Sequence, residues 1–265
     1  MEAEADVNPP KIGRRSFVVS SAAALSGAPP PADVKAMVFD VFGTVVDWRS
    51  TIIREGEALG RKKGLKADWA KFADAWRAAY GPSLARVRNG ELPWTRLDRL
   101  HRMSLDRILV EFSINGLSES EKDHLNHVWQ RLDPWPDSVE GLTRLRRRYL
   151  IATLSNGNMS LLTEMAKRAG LPWDCILSAE LFRHYKTDPE VYRGAAEMLS
   201  LEPGQVMMVA AHGGDLLAAK AVGMRTAFVS RPLEYGPGKQ PERPAAGAFD
   251  FVAKDLNGLA SSMGI

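Results

Sequence analysis

The sequence has little cysteine, little net charge and no long apolar run. Its one cysteine, Cys175, excludes an intramolecular disulfide and any metal or redox site built on a Cys-x-x-Cys pair. The net charge of +3 in 265 residues is too small to indicate a dedicated nucleic-acid binder. No apolar run approaches the roughly 20 residues that cross a bilayer. We therefore expect neither nucleic acid nor a membrane as a partner, and the 45% hydrophobic content is that of an ordinary globular protein.

The first residues, 1–33, have the parts of an export signal rather than of a fold. A charged start with Arg14 and Arg15 is followed by a mild apolar stretch over 18–28, and small residues and prolines close the segment. The paired arginines resemble a bacterial twin-arginine signal, which predicts a periplasmic location. The alternative is a disordered tail with two incidental arginines on a cytoplasmic protein.

The rest of the chain alternates apolar runs with helical stretches. The strand candidates are 36–42, 150–154, 176–178, 206–211, 226–229 and 249–252. Helical patterns at 160–169, 189–199 and 216–222 lie between them, and Gly170 and Gly223 follow two of these patterns as expected helix stops. Repeated strand–helix alternation with near-continuous apolar strands predicts an α/β fold with a doubly wound, Rossmann-like parallel sheet.

One long segment, 48–135, interrupts this alternation. It shows no convincing strand, and its apolar residues recur at helical spacing. Five of its tryptophans are expected to pack in its interior: Trp48, Trp69, Trp76, Trp94 and Trp129. We interpret it as an inserted helical cap subdomain over the carboxyl edge of the sheet. The predicted organisation is a signal-like or disordered segment at 1–33, an α/β core domain from 34–47 and 136–265, and the cap at 48–135.

Polar residues follow the apolar runs at the points where the predicted strands end. These residues are Asp40, Ser155, Asn156, His212 and Asp215, with Lys186 in a connection that can reach them. Since parallel strands place their carboxyl ends at one edge, we expect these side chains to converge. A carboxylate inside an apolar strand is costly unless it is paired, and Lys186 would keep Asp40 ionised and nucleophilic.

Four stretches together resemble the haloacid dehalogenase superfamily, and within it the type II 2-haloacid dehalogenases. They are FDVFGTVVDW at 39–48, LSNGN at 154–158, YKTDPEVY at 185–192 and MVAAHGGDLLAAKAVGMRTAFVSRP at 208–232. The resemblance extends from about Lys35 to the C-terminus. It implies hydrolysis of an (S)-2-haloacid to the (R)-2-hydroxy acid with inversion, through an aspartyl ester and with no cofactor or metal.

The resemblance also implies roles for the charged residues of the cluster. Asp40 is expected to be the nucleophile that attacks the carbon bearing the halogen. Lys186 and Tyr192 would balance its charge and orient it. Asp215 would orient Lys186 or help to activate the water that cleaves the ester.

Five further positions are expected to bind substrate or halide. Thr44 and Ser155 would position the substrate and the nucleophile, and Asn156 with Arg77 would cradle the halide, although Arg77 can also be a surface arginine. His212 stands where many type II enzymes have an asparagine. It can replace the hydrogen bonds of that amide, serve as a base near the hydrolytic water, or be a structural residue at a strand end.

Two residues argue against the phosphatase chemistry that is common in the superfamily. Phe42 stands where the phosphatases carry the aspartate that protonates the leaving group, and Ala211 stands where they carry one magnesium ligand. A halide leaves without a proton and a 2-haloacid is a monoanion, so both changes fit carbon–halogen cleavage. The alternatives are a phosphatase or phosphonatase-like member and a non-catalytic binding relative. The expected partners are a small 2-haloacid and water, and a homodimer is a further expectation because dimers are common in the resembled family.

Overall fold

The computed structural model describes residues 33–265 together with Met1. The paired residues Arg14 and Arg15, and nearly all of the predicted signal-like segment, therefore lie outside the described residues, and export stays a prediction. Between residues 33 and 265, no helix combines the length and the apolar character needed to span a bilayer.

A parallel sheet forms the centre of the molecule. The strands of the described residues are β1 (Ala36–Phe39), β2 (Val46–Asp47), β3 (Asp133–Pro134), β4 (Leu150–Ser155), β5 (Cys175–Ser178), β6 (Val206–Ala210), β7 (Arg225–Val229) and β8 (Phe251–Ala253). Six of them pair in parallel in the order β5-β4-β1-β6-β7-β8. β1 pairs with β4 on one side and with β6 on the other. It therefore lies at the topological switch point of the sheet, where sheets of this kind bind ligands.

Helices cover both faces of this sheet. They are α6 (Ser138–Arg146), α7 (Met159–Ala169), α8 (Ala179–Phe182), α9 (Pro189–Met198), α10 (Gly213–Ala221) and α11 (Leu256–Ser262). Side chains alternate along β1, so Met37 and Phe39 join one buried cluster while Val38 joins the other. This double burial explains why the central strands read as continuous apolar runs, and it confirms the predicted doubly wound α/β fold.

A group of helices is inserted between β2 and β3. These helices are α1 (Trp48–Lys63), α2 (Trp69–Ala78), α3 (Tyr80–Arg88), α4 (Leu97–Glu111) and α5 (Glu119–Asn126), followed by a 3-10 turn at His127–Gln130. Trp48, Trp76 and Trp129 are at most 1% exposed and fill the interior of this insertion, as their spacing predicts. We call the insertion the cap. Its limits as a separate subdomain, 48–135, stay a prediction.

The structure differs from the sequence-based expectation at two places. The cap range is not free of strand, because Asp133–Pro134 pairs antiparallel with Val46–Asp47 and joins the two ends of the insertion. The first strand ends at Phe39 rather than at residue 42. The chain turns immediately after it: Gly43 adopts φ +84°, and a Cβ there would overlap the carboxylate of Glu234.

Candidate active site

The nucleophile candidate lies in the first turn after the central strand. Asp40 follows β1 directly, and its backbone N–H continues the ladder to Val209 at 2.9 Å. Its carboxylate is 10% exposed and is held from three directions. The ammonium of Lys186 donates to Oδ1 at 2.8 Å, the hydroxyl of Thr44 donates to Oδ2 at 2.7 Å, and Nδ1 of His212 lies 3.1 Å from Oδ2.

These contacts keep the buried carboxyl of Asp40 ionised. Burial alone would raise its pKa, but the charge of Lys186 and the hydrogen bond and charge of His212 outweigh burial and hold the pKa well below its usual range. The reciprocal effect acts on Lys186. Burial would lower its pKa, but Asp215 and Asp40 raise it above the usual lysine value. The predicted pairing of Asp40 with Lys186 is therefore present in the structure.

A second carboxylate completes this ion cluster. Lys186 donates to Asp215 at 2.5 Å, and the hydroxyl of Tyr192 donates to the other oxygen of Asp215 at 2.5 Å. Burial and the nearby charge of Asp40 raise the pKa of Asp215, and burial and Asp215 raise that of Tyr192. The phenol is thus a neutral donor. Asp215 contacts Lys186 directly, and its role in orienting that lysine or activating the hydrolytic water stays a prediction.

Thr44 links the nucleophile to the next strand end. Its hydroxyl donates to Asp40 and accepts the backbone N–H of Ala211 at 2.9 Å. The hydroxyl of Thr44 therefore acts as a donor to Asp40 and as an acceptor from Ala211, and the two hydrogen bonds together hold Oδ2 of Asp40 in place. The role of Thr44 in positioning substrate and nucleophile stays a prediction, which these two hydrogen bonds support.

Glu234 is a site residue that sequence reasoning missed. It lies in the turn after β7, with its side chain 4% exposed, and its two carboxylate oxygens are 3.0 and 3.1 Å from Nε2 of His212. Trp48 of the cap donates to the same carboxylate at 3.1 Å. The turn is fixed by Arg231, which forms a two-bonded ion pair with Asp137 at 2.7 and 2.9 Å.

His212 consequently bridges two carboxylates. Burial would lower its pKa, but the hydrogen bonds and charges of Asp40 and Glu234 raise it to about 10. In the resting protein the ring is therefore an imidazolium that donates to Asp40 through Nδ1 and to Glu234 through Nε2. Its role was left open between an amide substitute, a base and a structural residue, and these contacts place it against the nucleophile itself.

Two predicted binding residues make other contacts than expected. The Asn156 amide donates to the hydroxyl of Tyr80 at 2.9 Å and accepts the backbone N–H of Lys186 at 2.8 Å, so it joins the cap to the lysine loop. The hydroxyl of Ser155 accepts the N–H of Gly157 at 3.2 Å, and no hydrogen bond between Ser155 and Asp40 is present among residues 33–265. A binding role for either residue stays a prediction.

Arg77 projects from α2 toward this edge of the sheet and is not a surface arginine. Its side chain is 14% exposed, its guanidinium carbon lies 4.6 Å from the ring centre of Tyr80, and Nη2 is 3.8 Å from Glu234. Burial opposes its charge, but Tyr80 and Glu234 raise the pKa of Arg77. A fixed cation therefore lies beside the cluster, on the cap side.

The donor set around Asp40 does not fit a magnesium ion. The ammonium of Lys186 lies between the carboxylates of Asp40 and Asp215 and hydrogen-bonds both, in the place where a cation would bind them. Among the residues that the structure describes, no group of three or more His, Cys, Asp or Glu side chains is arranged to hold a metal.

The chain is similar to several known proteins. The model of the haloacid dehalogenase-like hydrolases matches residues 34–223. The chain is 27% identical over 250 residues to the (S)-2-haloacid dehalogenase 4A of Burkholderia cepacia, which covers 86% of this chain and 98% of that protein. It is also 29% identical over 193 residues to a phosphoglycolate phosphatase of Neisseria meningitidis, with 72% of this chain and 77% of that protein covered.

A solved structure is more similar in sequence than either of these relatives. The crystal structure of an L-2-haloacid dehalogenase superposes with a TM-score of 0.84 at 47% identity, and it covers 87% of this chain and 99% of that one. The match includes the cap as well as the sheet, because it extends over most of the described residues.

Proposed function

The chain belongs to the haloacid dehalogenase-like hydrolase family, and from that premise we propose that it hydrolyses (S)-2-haloacids to (R)-2-hydroxy acids. The observation that carries the proposal is the state of Asp40. Its carboxylate is buried, ionised and held by Lys186, and the side chain two residues later is Phe42, which cannot protonate a leaving group. The L-2-haloacid dehalogenase that superposes on the chain supports the same reaction class.

In the first step, Asp40 displaces the halide. One carboxylate oxygen forms a bond to the substrate α-carbon while the carbon–halogen bond breaks and the halide leaves with the bonding electron pair. Because the attack is in line, the configuration at that carbon inverts. The fixed position of Asp40 at the end of β1, with Thr44 and Lys186 on its oxygens, reduces the entropy that the attack would otherwise cost.

The aspartyl ester changes the charge around His212. Esterification removes the negative charge of Asp40, so one of the two carboxylates that raise the pKa of His212 is lost. The imidazolium then releases a proton to solvent, and the neutral ring becomes a base 3.1 Å from the former carboxylate oxygen. This is the proton that accompanies the halide in the overall reaction.

Hydrolysis of the ester restores the enzyme. His212 takes a proton from water, whose oxygen attacks the carboxyl carbon of Asp40, and it returns the proton to the departing alkoxide of the hydroxy acid. The new carboxylic acid of Asp40 then passes its own proton to His212. Glu234, bonded to Nε2, stabilises the positive charge that His212 carries during this step.

Single-turnover labelling tests the proposed reaction. With enzyme in excess in ¹⁸O-labelled water, the ester route gives an unlabelled hydroxy acid and places the label in the peptide that bears Asp40. Labelled product on the first turnover would show that Asp40 acts as a general base instead. Halide release from (S)-2-chloropropionate but not from its (R) enantiomer tests the substrate class.

Phosphate-directed chemistry is the second candidate, since the family includes the phosphatase relative. Three features argue against it: Phe42, Ala211, and the position of Lys186 between the carboxylates of Asp40 and Asp215. Chelation separates the two functions: haloacid turnover is expected to survive exhaustive EDTA treatment, whereas a phosphatase of this family would require added Mg²⁺. A non-catalytic relative would show neither activity.

A further inference from the structure

The loop that carries Lys186 is fixed by side chains from other parts of the molecule. This loop, residues 183–188, joins α8 to α9, and the ammonium of its lysine lies between the carboxylates of Asp40 and Asp215. A lysine has a long, flexible stem with many rotamers. Its nitrogen therefore stays between two carboxylates only if the backbone that bears the stem is held still.

Arg88, the last residue of α3 in the cap, contacts three acceptors of this loop. Its Nη2 donates to the backbone carbonyl of Lys186 itself, and also to that of Tyr185 at 3.3 Å. Its Nε lies 3.1 Å from Oδ1 of Asp188. A guanidinium is planar and carries five donors in a fixed arrangement, so one side chain can hold several acceptors at once. Arg88 therefore fixes the segment on both sides of the lysine.

The other polar group of the Lys186 backbone is also held. Its N–H donates to Oδ1 of Asn156 at 2.8 Å, and the amide of Asn156 donates to the hydroxyl of Tyr80, the first residue of α3. The carbonyl is thus bound by Arg88, and the N–H is bound by Asn156. Both contacts lead to α3, one to each end of that helix. The position of α3 consequently sets the position of the Lys186 backbone.

A further contact keeps the loop attached to the cap without Arg88. The hydroxyl of Tyr185 donates to the backbone carbonyl of Thr95 at 2.5 Å, and its ring lies 4.8 Å from that of Trp94 between centres. Tyr185 is 1% exposed, so this anchor is fully packed. Removal of Arg88 is therefore expected to leave the protein folded and to release only the segment that follows Tyr185.

The charge of Arg88 contributes less than its hydrogen bonds. Its side chain is 32% exposed and that of Asp188 is 28% exposed, so water screens their ion pair and the pair adds little stability. A guanidinium that donates to a backbone carbonyl makes a stronger hydrogen bond than a neutral donor does, and it restrains the direction of that peptide unit. The restrained peptide unit here is the one that begins at Lys186.

We propose that Arg88 is a positioning residue for Lys186. The proposal rests on the proposed function, in which the ammonium of Lys186 keeps the nucleophile ionised. By holding the carbonyl of Lys186, Arg88 keeps that ammonium on Asp40 and Asp215. Within residues 33–265, Arg88 has no hydrogen bond to either carboxylate, so its effect on the reaction passes through the lysine.

The first test separates kcat from KM. Arg88→Ala is expected to lower the kcat of haloacid turnover by about tenfold or more and to change KM by less than about twofold, because small displacements of a reacting group's partner are costly. Arg88→Lys keeps a charged donor without the planar group and is expected to give an intermediate kcat. Arg86→Ala is the matched control, since Arg86 lies on the same helix and its Nε is 3.6 Å from Glu91 instead. An unchanged kcat in Arg88→Ala would overturn the proposal.

The second test measures the loop without turnover. Hydrogen–deuterium exchange of the peptide that contains Lys186 is expected to be about tenfold faster in Arg88→Ala than in the unaltered protein, and unchanged in Arg86→Ala. A lower kcat with unchanged exchange would overturn the proposal, because Arg88 would then not act through the lysine loop. If exchange responds to Arg88→Ala but the unaltered protein turns over no haloacid, the proposed function fails, while the contact of Arg88 with the loop is still confirmed.

Discussion

Glu234→Gln is the substitution that separates the two proposed chemical steps. In the resting protein His212 bridges Asp40 and Glu234. In the aspartyl ester, Glu234 is the one carboxylate among residues 33–265 that still bonds the ring. The amide of glutamine has nearly the same shape and can still accept from Trp48, so the turn after β7 keeps that hydrogen bond. What is removed is the negative charge that supports the imidazolium during ester hydrolysis.

The expected cost follows from the geometry. Nε2 lies 3.0 and 3.1 Å from the two oxygens of Glu234, and the carboxylate is 4% exposed, so screening by water is weak. A hydrogen bond to a charged group contributes about 2 kcal/mol. That is about a 30-fold slower hydrolysis of the ester. Halide displacement should change little, because Asp40 keeps Lys186 and Thr44.

Rapid-quench kinetics measures the two steps separately. The variant is expected to release a burst of halide equal to the enzyme concentration, followed by slow turnover, and mass spectrometry should find the substrate acid attached to the peptide with Asp40. Glu242→Gln is the matched control. Glu242 lies in the same C-terminal loop region and accepts the N–H of Gly213 at 2.8 Å, and within the described part of the chain it has no hydrogen bond to His212. A Glu234→Gln protein without burst or adduct, or with unchanged turnover, would refute the assignment of Glu234 and His212 to ester hydrolysis.

Three further predictions concern charge balance, pH and location. Lys186→Ala is expected to lower turnover by about 100-fold or more while the circular dichroism spectrum is retained, because Asp40 loses its main opposite charge and its pKa rises. Near-full activity would show that His212 and Arg77 balance the charge of Asp40 instead. Because the pKa of His212 is raised to about 10, its positive charge stabilises the fold fully below pH 6.5, and this stabilisation is lost as the pH rises through about 10. Denaturant titrations of the unaltered protein and of His212→Asn should therefore give free energies of unfolding whose difference shrinks over that pH range. A reporter fused after residue 33 is expected to reach the periplasm and to be retained in the cytoplasm when Arg14 and Arg15 are both changed to lysine; cytoplasmic retention of the unaltered fusion would contradict export.

The sequence by itself determined the sheet and the central ion cluster. A strand that is buried on both faces must be apolar throughout, so the runs that became β1, β4 and β6 were visible without a structure. Because parallel strands end at one edge, the residues after them had to converge, and Asp40, Lys186 and Asp215 do. These inferences hold because the apolar runs, and the positions of the polar residues that follow them, can be read from the local sequence.

The tertiary structure alone decided which residues surround that cluster. Glu234 lies in an irregular turn and meets Trp48, 186 positions earlier, through packing of the cap that no local pattern encodes. His101 of α4 and Trp129 of the 3-10 turn stack with ring centres 4.2 Å apart, a contact that no local sequence pattern predicts. The contact of Asn156 with Tyr80 also depends on the packing of the cap, and its predicted role at the halide stays a prediction.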